Sequence, residues 1–483
     1  MFTDISFSDD RPLYLQIRDY IKQMILKGLL SKGQKLPSTR ELSSILQVSR
    51  NTVILAYEYL QDEGFIEIIR GKGTFVSAIN IDYQNQWKFD WNSKLNSYAK
   101  LANELDIVKH EAKWKKGMIS FKSIAPDHKL FDVEDFKRAF LNRFSLEGEK
   151  LLNYGYAQGY KPLIEYLLQY MSNKGVNIED KDILITNGFT EGLDIVLSAL
   201  TNPGDYILCE NPTHNTAIKI MRLHGLNIVG VDIEEDGINL SQLEKVLSNK
   251  PISMAFLIPS YHNPTGIVMS PEKRMELLKI FARYKVPIIE DGFNEELKYS
   301  GSHLSPLAGL CGRGNSVLYI GSLSKVLFPG LRIGWILGDK NLISKLESVK
   351  RSRDIHTSFL DQAILYEYLI TGNLEKYLKK ARKIYREKYD FAVKCAKKYI
   401  PHKRILGEGG LHIFVELDEN IDARLLLDKC IKRNVIFMPG DIFYTNGEGK
   451  NSFRLGFARS SLKEIEKGFN IIGEIIKEME EEN

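Results

Sequence analysis

The chain has 483 residues, of which 43% are apolar and 27% charged, a composition that excludes a disordered or fibrous protein and allows two or more domains. Its 66 Lys and Arg residues nearly balance its 62 Asp and Glu residues. The resulting formal charge of +4 excludes a polybasic chain that coats nucleic acid or an anionic membrane along its length.

Neither a secretion signal nor a membrane span is expected. The first residues lack a basic region followed by an apolar one, and no window approaches the roughly 18 consecutive apolar residues that a span requires. We therefore expect a cytoplasmic protein with no membrane partner. The four cysteines lie far apart and form no CxxC pair, which argues against a disulfide framework and a thiolate zinc site.

Residues 1–76 carry the signals of three helices. Apolar residues at helical spacing predict the first helix within Pro12–Leu30. Ser38 and Glu41 have the spacing of a capping box, which predicts that a second short helix begins there. Ser49 can cap a third helix, whose first turn would leave polar side chains exposed.

Two strands joined by a tight turn are predicted next, and they complete a winged helix-turn-helix. The strands are Phe65–Ile69 and Thr74–Val76, and the turn between them is Arg70–Gly73. A helix of this kind fits the major groove of DNA, where its first side chains reach base edges and its positive dipole end faces phosphate. Residues 11–80 contain ten Lys or Arg and six Asp or Glu, so that a charge of +4 is concentrated there.

Three stretches of this segment, Leu36–Leu42, Val48–Val53 and Gly71–Val76, resemble the GntR-type winged helix of bacterial transcription regulators. The resemblance implies binding to double-stranded operator DNA. By that resemblance the expected DNA contacts are Arg40, Ser49, Arg50, Asn51, Thr52 and Lys72. The alternative is a small helical domain in which these side chains are only solvated.

Residues 77–117 are polar and show no sustained period, and we interpret them as a linker. A short helix is predicted near Tyr98–Lys109. We expect the tryptophans Trp87, Trp91 and Trp114 to pack the linker against a neighbouring surface.

From residue 118 to residue 483, short β-branched runs alternate with helical stretches, which predicts an open α/β sheet. The predicted strands are Asp182–Thr186, Tyr206–Cys209, Ala255–Ile258, Val286–Ile289 and Val317–Ile320. Ligands of such sheets bind outside the carboxyl ends of the strands. The residues that follow these strands are therefore the candidates for a site.

Several of those residues have chemically useful side chains or backbone amides. They are Phe189 and Thr190 after the first strand, Asn263 in a later turn, Asp291 at the end of an apolar run, and Lys325 with Ser322, Ser324 and Arg332 around it. Amides at a helix start can hold a phosphate. A carboxylate at the end of an apolar strand requires a buried cationic partner.

Pyridoxal 5′-phosphate needs this set of groups. The cofactor requires an amine for a covalent bond, an acid beside its ring nitrogen, and donors for its phosphate and its phenolic oxygen. Lys325 and Asp291 meet the first two needs. The pair Ser322 and Arg332 would hold the phosphate, and Asn263 would donate to the phenolic oxygen. A lysine alone would be an ordinary surface residue, and the neighbours of Lys325 are what favour a catalytic role.

Residues from about 120 to 480 resemble the fold-type I aminotransferases of the aspartate aminotransferase superfamily. The motifs that carry the resemblance are Tyr154–Gly159, Glu210–Pro212, Asn263–Gly266, Glu290–Asp291, Ser322–Lys325 and Arg454–Ala458. The resemblance implies that Tyr154 reaches the phosphate of the neighbouring subunit's cofactor and that His214 stacks on the pyridine ring. It also implies that Arg454 binds the carboxylate of an amino acid.

The chain departs from that family at two positions. His214 stands where a larger aromatic residue is usual, and Phe293 stands where a tyrosine commonly donates to the phenolic oxygen. The second departure leaves Asn263 as the main partner of that oxygen and puts full turnover in doubt. Histidines such as His214, His224 and His262 have no HxxxH or HExxH spacing, so we expect no metal.

A GntR-type winged helix (residues 1–76), a linker (77–117) and an aminotransferase-like domain (118–483, with large and small subdomains) resemble the architecture of the MocR family. The resemblance implies a transcription regulator that holds pyridoxal phosphate on Lys325 and senses an amino acid, an amine or the vitamer itself. It also implies a head-to-tail, domain-swapped homodimer. The alternative is an aminotransferase with a fused helical module, and aminotransferase half-reactions are expected in either case if the lysine is functional.

Overall fold

The structure is a computed structural model that describes residues 2, 5–8, 10–77, 89–299 and 304–482. The chain divides into two compact units, Met1–Leu95 and Asn96–Asn483. The division falls inside the predicted linker, and the boundaries predicted for the three segments stay predictions.

The α-helices are α1 Leu13–Leu26, α2 Thr39–Leu46, α3 Arg50–Asp62, α4 Ser97–Glu104, α5 Ile107–His110, α6 Val133–Glu147, α7 Lys161–Asn173, α8 Phe189–Leu200, α9 Asn215–Leu223, α10 Leu240–Asn249, α11 Pro271–Tyr284, α12 Leu307–Leu310, α13 Lys340–Arg351, α14 Phe359–Ile370, α15 Asn373–Tyr399, α16 Ala423–Lys432 and α17 Leu462–Glu482. The strands are β1 Ile66–Ile69, β2 Gly73–Val76, β3 Ile119–Ser120, β4 Lys181–Thr186, β5 Tyr206–Asn211, β6 Asn227–Glu234, β7 Gly237–Ile238, β8 Ile252–Leu257, β9 Ile288–Asp291, β10 Val317–Ser322, β11 Gly334–Asp339, β12 Arg404–Leu406, β13 His412–Glu416, β14 Val435–Ile436, β15 Met438–Pro439 and β16 Ser452–Gly456. Short 3-10 turns lie at Trp91–Lys94, His128–Leu130, Gly148–Leu152, Pro329–Leu331 and Gly440–Phe443.

The first unit is a winged helix-turn-helix, as predicted. The hydroxyl of Ser38 accepts a hydrogen bond from the Glu41 amide at 3.2 Å, and the Glu41 carboxylate accepts one from the Ser38 amide at 2.7 Å. This capping box begins α2, and Ser49 caps α3 by accepting a hydrogen bond from the Thr52 amide at 3.1 Å. The first helix ends at Leu26, before the predicted limit. Apolar faces of the three helices share one small core.

The wing is an antiparallel hairpin in which β1 pairs with β2 in the register Ile66 to Val76 and Ile69 to Gly73. Lys72 lies in the turn between the strands and is exposed. The prediction of two strands with a tight turn at this point is confirmed. The hairpin places the basic turn at the tip of two paired strands, where its side chains are accessible to a ligand.

In the described part of the second unit, eight strands form a mixed sheet in the order β4-β11-β10-β9-β8-β5-β6-β7. Strands β5, β8, β9 and β10 are parallel neighbours, whereas β11 runs antiparallel to both β4 and β10. Because β4 and β10 both oppose β11, they point the same way. The carboxyl ends of all the predicted strands therefore meet at one edge of the sheet, where ligands of such sheets bind.

A second, smaller sheet has the order β12-β13-β16-β15 and is antiparallel. Helices α15, α16 and α17 pack around it, and its apolar core is separate from that of the large sheet. Strand β16 carries Arg454 in its centre. The small sheet thus contributes one side chain to the site that the large sheet forms.

Candidate active site

Eight of the predicted cofactor residues line one cavity of 180 Å³. They are Phe189, Thr190, His214, Asp291, Ser322, Ser324, Lys325 and Arg332. A second cavity of 490 Å³ shares His214 and Lys325 with the first and is lined by Asn263 and Arg454. The structure therefore brings together the residues that the sequence placed at separate strand ends.

Tyr154 is the exception among the predicted cofactor residues. It lines neither cavity, and 78% of its surface is exposed. Its ring lies against His356, with centroids 6.0 Å apart. Within one chain, Tyr154 is thus not part of the site.

Asp291 and Lys325 both line the smaller cavity, and each influences the pKa of the other. Burial raises the pKa of Asp291 well above its ordinary value, the charge of Glu295 raises it further, and Lys325 opposes both effects. Burial, followed by the charges of Arg454 and Arg332, lowers the pKa of Lys325 from 10.5 to about 8. A lysine with such a pKa has a substantial neutral fraction near neutral pH, which is the form that attacks a carbonyl.

One end of the cavity is built to hold an anion. The Arg332 guanidinium donates to the Asn187 carbonyl at 3.2 Å, just before α8 begins at Phe189. It can approach so closely because Gly188, with a φ of +81°, has no side chain: a Cβ there would lie 2.6 Å from Nη2 of Arg332. A guanidinium beside the first amides of a helix is a suitable receptor for a phosphate.

Two serine hydroxyls lie in the same cavity. Ser322 Oγ donates to Ser324 Oγ at 3.0 Å, and the Ser324 amide donates to Ser322 Oγ at 3.2 Å. These bonds close the turn after β10 and hold the hydroxyls next to Lys325. The segment therefore adds short polar donors to the anion receptor.

Asn263 and Arg454 form a buried pair in the larger cavity. Arg454 Nη1 donates to Asn263 Oδ1 at 2.7 Å, and Nη2 donates to the Lys122 carbonyl at 3.2 Å. Burial lowers the pKa of Arg454 to about 9. In the described residues no carboxylate lines this cavity or pairs with Arg454, so its guanidinium is available for an anionic ligand.

His214 forms part of the wall that the two cavities share. Burial, assisted by the charges of Lys325 and Arg454, lowers its pKa to about 3, so the ring is neutral. Its Nδ1 has no hydrogen-bond partner in the described residues, and its ring lies 5.4 Å from that of Phe189. A neutral imidazole in this position offers a flat surface for a heteroaromatic ring.

These residues fit pyridoxal phosphate. Asn263 Nδ2 is a buried donor without a partner in the described chain, as the phenolic oxygen requires. Asp291 presents an acid, Arg332 and the start of α8 present an anion receptor, and Lys325 presents an amine. When bound, the cofactor supplies an electron sink for chemistry at the α-carbon of an amine or amino acid.

Glu210 and His262 are buried near the site, but the sequence assigned them no individual role. Glu210 accepts a hydrogen bond from the Ile258 amide at 2.9 Å, and His262 Nε2 lies 3.6 Å from its carboxylate. Burial raises the pKa of Glu210 to about 8, and the charge of Asp291 raises it as well. The signal that could have found it is an acid at the end of the apolar run β5, the same signal that identified Asp291.

The linker also contributes to the site. The helix predicted near residues 98–109 is present as α4 and α5, and Ile107, Val108 and Trp114 line the larger cavity. Trp91 is 75% exposed, and its ring lies against that of Phe89 with centroids 4.7 Å apart. Trp87 lies outside the described residues, and the packing expected for both stays a prediction. A polar segment without a period gives no sequence signal for such contacts.

The predicted DNA contacts lie at accessible positions of the first unit. All are exposed except Thr52, which is half-buried. Arg50 Nε donates to Thr39 Oγ1 at 3.3 Å and so connects the first turns of α3 and α2. The start of α3 therefore presents polar side chains to solvent, as the sequence indicated.

Two kinds of feature are absent from the part of the chain that the structure describes. No group of three or more His, Cys, Asp or Glu side chains in that part could hold a metal ion. None of the described helices has the length and apolar character needed to cross a membrane.

Two family profiles match the chain. Residues 13–76 match the gntR family of bacterial regulatory proteins, and residues 117–472 match aminotransferase class I and II. Among curated proteins, the uncharacterized HTH-type transcriptional regulator YisV of Bacillus subtilis is 30% identical over 98% of this chain and 98% of its own. The probable rhizopine catabolism regulatory protein MocR of Rhizobium meliloti is 25% identical over 95% of this chain and 93% of its own.

A solved structure supports the same comparison for the second unit. LysN, the α-aminoadipate aminotransferase of Thermus thermophilus, was solved in complex with N-(5′-phosphopyridoxyl)-L-leucine. It superposes with a TM-score of 0.74 at 30% identity and covers 81% of this chain and 99% of its own. The fold-type I aminotransferase fold and the pyridoxal phosphate cofactor expected from the sequence are confirmed.

Proposed function

Because the chain belongs to the MocR family, in which a GntR-type winged helix is fused to an aminotransferase class I and II domain, we propose that it is a pyridoxal-phosphate-dependent transcription regulator. The winged helix binds operator DNA, and the large domain senses an amino acid or amine. Binding to operator DNA would require a cytoplasmic location.

The observation that carries the sensing role is that Lys325 lies in the wall of both cavities. One cavity has the groups that would hold the cofactor, and the other has Arg454, which has no carboxylate partner in the described residues. An amino acid whose carboxylate binds Arg454 would therefore bring its amine to the same place as the amine of Lys325. The ligand then competes with Lys325 for the cofactor, which gives the protein two chemically distinct states.

Sensing requires that these two states differ in their affinity for DNA. A ligand shifts an equilibrium only by its differential affinity for the two arrangements of the protein. The linker offers a route, because Ile107, Val108 and Trp114 line the ligand cavity and the same chain continues toward the winged helix. Loss or gain of contacts to these side chains on ligand binding would change how the linker is held.

The exposed position of Tyr154 supports a dimer in which this residue acts in the neighbouring subunit. It is a large aromatic residue at the surface, and it is absent from both cavities of its own chain. We propose the head-to-tail homodimer of the family, with two winged helices for two half-sites of an operator.

A catalytic aminotransferase is the second candidate function. It is favoured by an intact Lys325 whose pKa is lowered to about 8, and by Arg454, whose cavity is lined by no carboxylate of the described residues. Phe293 counts against efficient turnover, since it lines the cofactor cavity and has no hydroxyl to offer. Half-reactions with an amino acid are compatible with both functions.

A gel-shift assay on the gene's own upstream DNA, with and without pyridoxal phosphate and a panel of amino acids and amines, separates the two functions. The regulator predicts a specific shift that one ligand changes, and the Lys325→Ala variant should still bind DNA but lose the response. The absence of a specific shift, combined with rapid turnover of an amino acid and an oxo acid, would establish the enzyme instead.

A further inference from the structure

Helix α15, Asn373–Tyr399, has an unusual concentration of positive charge. Its 27 residues include ten Lys or Arg and three Asp or Glu, a net charge of +7. The residues outside 11–80 together have a net charge of zero. Because α15 contributes +7 to that sum, the remaining residues have a net charge of −7. The positive charge of the second unit is thus focused on one helix.

Five exposed lysines lie on one side of α15, and we call them the α15 stripe. They are Lys379, Lys380, Lys383, Lys394 and Lys397. Steps of four, eleven and three residues keep Lys379, Lys383, Lys394 and Lys397 on one helical face, and Lys380, three residues before Lys383, lies at its edge. Apolar residues of the helix are buried on the other side. At about 1.5 Å per residue the stripe is about 27 Å long.

The lysines of the stripe have no ion pair with any described residue. Neighbouring cations on the same helix do have partners: Lys376 pairs with Asp135 at 2.6 Å and Lys388 with Asp127 at 3.4 Å. Two exposed acids, Glu387 and Asp390, interrupt the face, and Asp390 lies 3.9 Å from Arg386. The remaining positive charge is left for solvent ions or an external ligand.

The adjacent helix α17 does not neutralise the stripe. It contains seven Asp or Glu and three Lys. Its acids contact residues outside the stripe: Glu474 and Glu478 pair with Arg433, and Glu466 accepts a hydrogen bond from Tyr399 at the end of α15. The acidic helix therefore leaves the lysines of the α15 stripe without an ion pair, and like charges make the face unsuitable for a second copy of itself.

A groove of 720 Å³ lies beside the stripe and gives it a concave wall. It is lined by the stripe residues Lys383 and Lys394 together with Lys298, Arg382 and Arg386, and by the acids Glu387 and Asp390. Burial, with the charge of Arg382, lowers the pKa of Lys298. Cations that lie this close without enough acids to balance them favour a bound anion.

We infer that the α15 stripe and its groove bind the phosphate backbone of the operator DNA, in addition to the contacts of the winged helix. The inference rests on the proposed function, because it requires that the protein bind DNA. Lysines that replace condensed counterions at phosphates add affinity without reading sequence. A length of about 27 Å corresponds to the axial rise of roughly eight base pairs, at about 3.4 Å each, so several phosphates lie within its reach.

The test is the salt dependence of DNA binding by the full-length protein loaded with pyridoxal phosphate. The stripe variant carries Lys379→Gln, Lys383→Gln and Lys394→Gln. The control variant carries Lys245→Gln, Lys345→Gln and Lys432→Gln, which are exposed lysines of the same unit and remove the same charge. Each protein is titrated with the full upstream fragment and with a short duplex cut to the winged-helix site, between roughly 50 and 200 mM salt, where phosphate contacts change the affinity strongly.

On the full fragment, the plot of log affinity against log salt should become shallower for the stripe variant by about one per lost phosphate contact, up to about three. The control variant should keep the wild-type slope, and the short duplex should not distinguish the variants. Equal slopes for the stripe and control variants on the full fragment would overturn the inference. A decrease in the slope of the stripe variant that is equal on the full fragment and the short duplex would overturn it as well. Absence of specific binding by the wild type would instead overturn the proposed function. Unchanged cofactor absorbance and thermal unfolding show that each variant is folded.

Discussion

Arg454 donates a hydrogen bond from Nη1 to Asn263 Oδ1 over 2.7 Å, inside the protein. The sequence assigned these residues to different ligands, Asn263 to the cofactor and Arg454 to the effector. The contact fixes the side-chain amide of Asn263, because an acceptor facing Arg454 leaves Nδ2 as a donor toward the cavity. That Nδ2 has no partner in the described residues. Arg454, which we expect to bind the effector, therefore orients the Asn263 amide, which we expect to bind the cofactor.

Asn263→Ala should therefore weaken the binding of both the cofactor and the effector. It removes the donor for the phenolic oxygen, and it leaves Nη1 of buried Arg454 without its partner, which costs about 1 to 3 kcal/mol. We expect effector affinity to fall by roughly 5- to 150-fold and the absorbance of the bound cofactor to shift. Titration of the effector against the cofactor absorbance measures both.

The matched control is Asn294→Ala. Asn294 is 1% exposed and its side-chain amide also lacks a partner in the described chain, but it lines neither cavity. A similar loss of effector affinity in both variants would mean that Asn263 acts only through the stability of the fold.

Lys325→Ala should abolish the absorbance of covalently bound pyridoxal phosphate, because it removes the amine of the cofactor cavity. Lys325→Arg should do the same although it keeps the charge. A second buried lysine, Lys350, donates to the Ala157 carbonyl at 2.9 Å and lies outside both cavities. Lys350→Met should keep the cofactor absorbance in the fraction of the protein that folds. An unchanged spectrum for Lys325→Ala would mean that Lys325 is not the lysine that binds the cofactor.

The rate at which the apoprotein takes up pyridoxal phosphate should rise with pH, with a midpoint near the Lys325 pKa of about 8 and not near 10.5. Only the neutral amine attacks the cofactor, and a lowered pKa makes that form available at lower pH. Burial lowers the Lys325 pKa most, and the charge of Arg454 lowers it next. Because Arg454→Leu removes that charge, it should move the midpoint to higher pH. Stopped-flow absorbance at a series of pH values measures this, and a midpoint that moves to lower pH would contradict the assignment.

The same lowered pKa affects the stability of the apoprotein. Between pH about 8 and 10.5 the unfolded chain binds a proton at Lys325 that the folded chain has lost. The contribution of this group to the free energy of unfolding therefore increases as pH rises through that window. Lys325→Met should remove the pH dependence that this one group causes.

Local signals predicted much of the fold because they depend on neighbours in sequence. The capping box of Ser38 and Glu41 needs only a spacing of three residues, and Asp291 stands out as an acid at the end of a buried apolar run. Such features identify where helices begin and which residues meet at the edge of the sheet.

Other features depend on pairings that no local pattern records. Strand β11 lies antiparallel between β4 and β10, and its residue Gly334 pairs with Thr186, far away in sequence. The linker residues Ile107 and Trp114 were not expected in the ligand cavity, because a polar segment without periodicity gives no information on its contacts. Tyr154 lies outside both cavities of its own chain, and a role in a neighbouring subunit is not something one chain can display.

Arg50→Ala should weaken specific DNA binding by about 1 to 3 kcal/mol if the side chain reads a base. The Arg50 side chain is exposed at the start of α3, where it contacts Thr39 of α2. Lys72→Ala, in the turn of the wing, should weaken binding to all sequences about equally and reduce the salt dependence by about one phosphate. Competition gel shifts with operator and scrambled DNA separate the two effects, and unchanged affinity and specificity for Arg50→Ala would remove that residue from the interface.

Gly188→Ala should reduce the affinity for pyridoxal phosphate. The new Cβ would lie 2.6 Å from Nη2 of Arg332, so the guanidinium has to leave its position beside the start of α8. Loss of a hydrogen bond to a charged group costs about 1.5 to 3 kcal/mol, which corresponds to roughly 10- to 150-fold in affinity. The φ of +81° adds backbone strain, so this variant should also unfold at a lower temperature.

Gly204→Ala separates the collision from the strain. Gly204 has a φ of +94°, and a Cβ at this position would have no neighbouring atom within 4 Å, so the substitution there brings backbone strain alone. Both variants should lose similar thermal stability as apoproteins, but only Gly188→Ala should lose cofactor affinity, measured by titrating pyridoxal phosphate into each apoprotein. Equal cofactor affinity in the two variants would show that the contact between Gly188 and Arg332 does not determine how the phosphate is held.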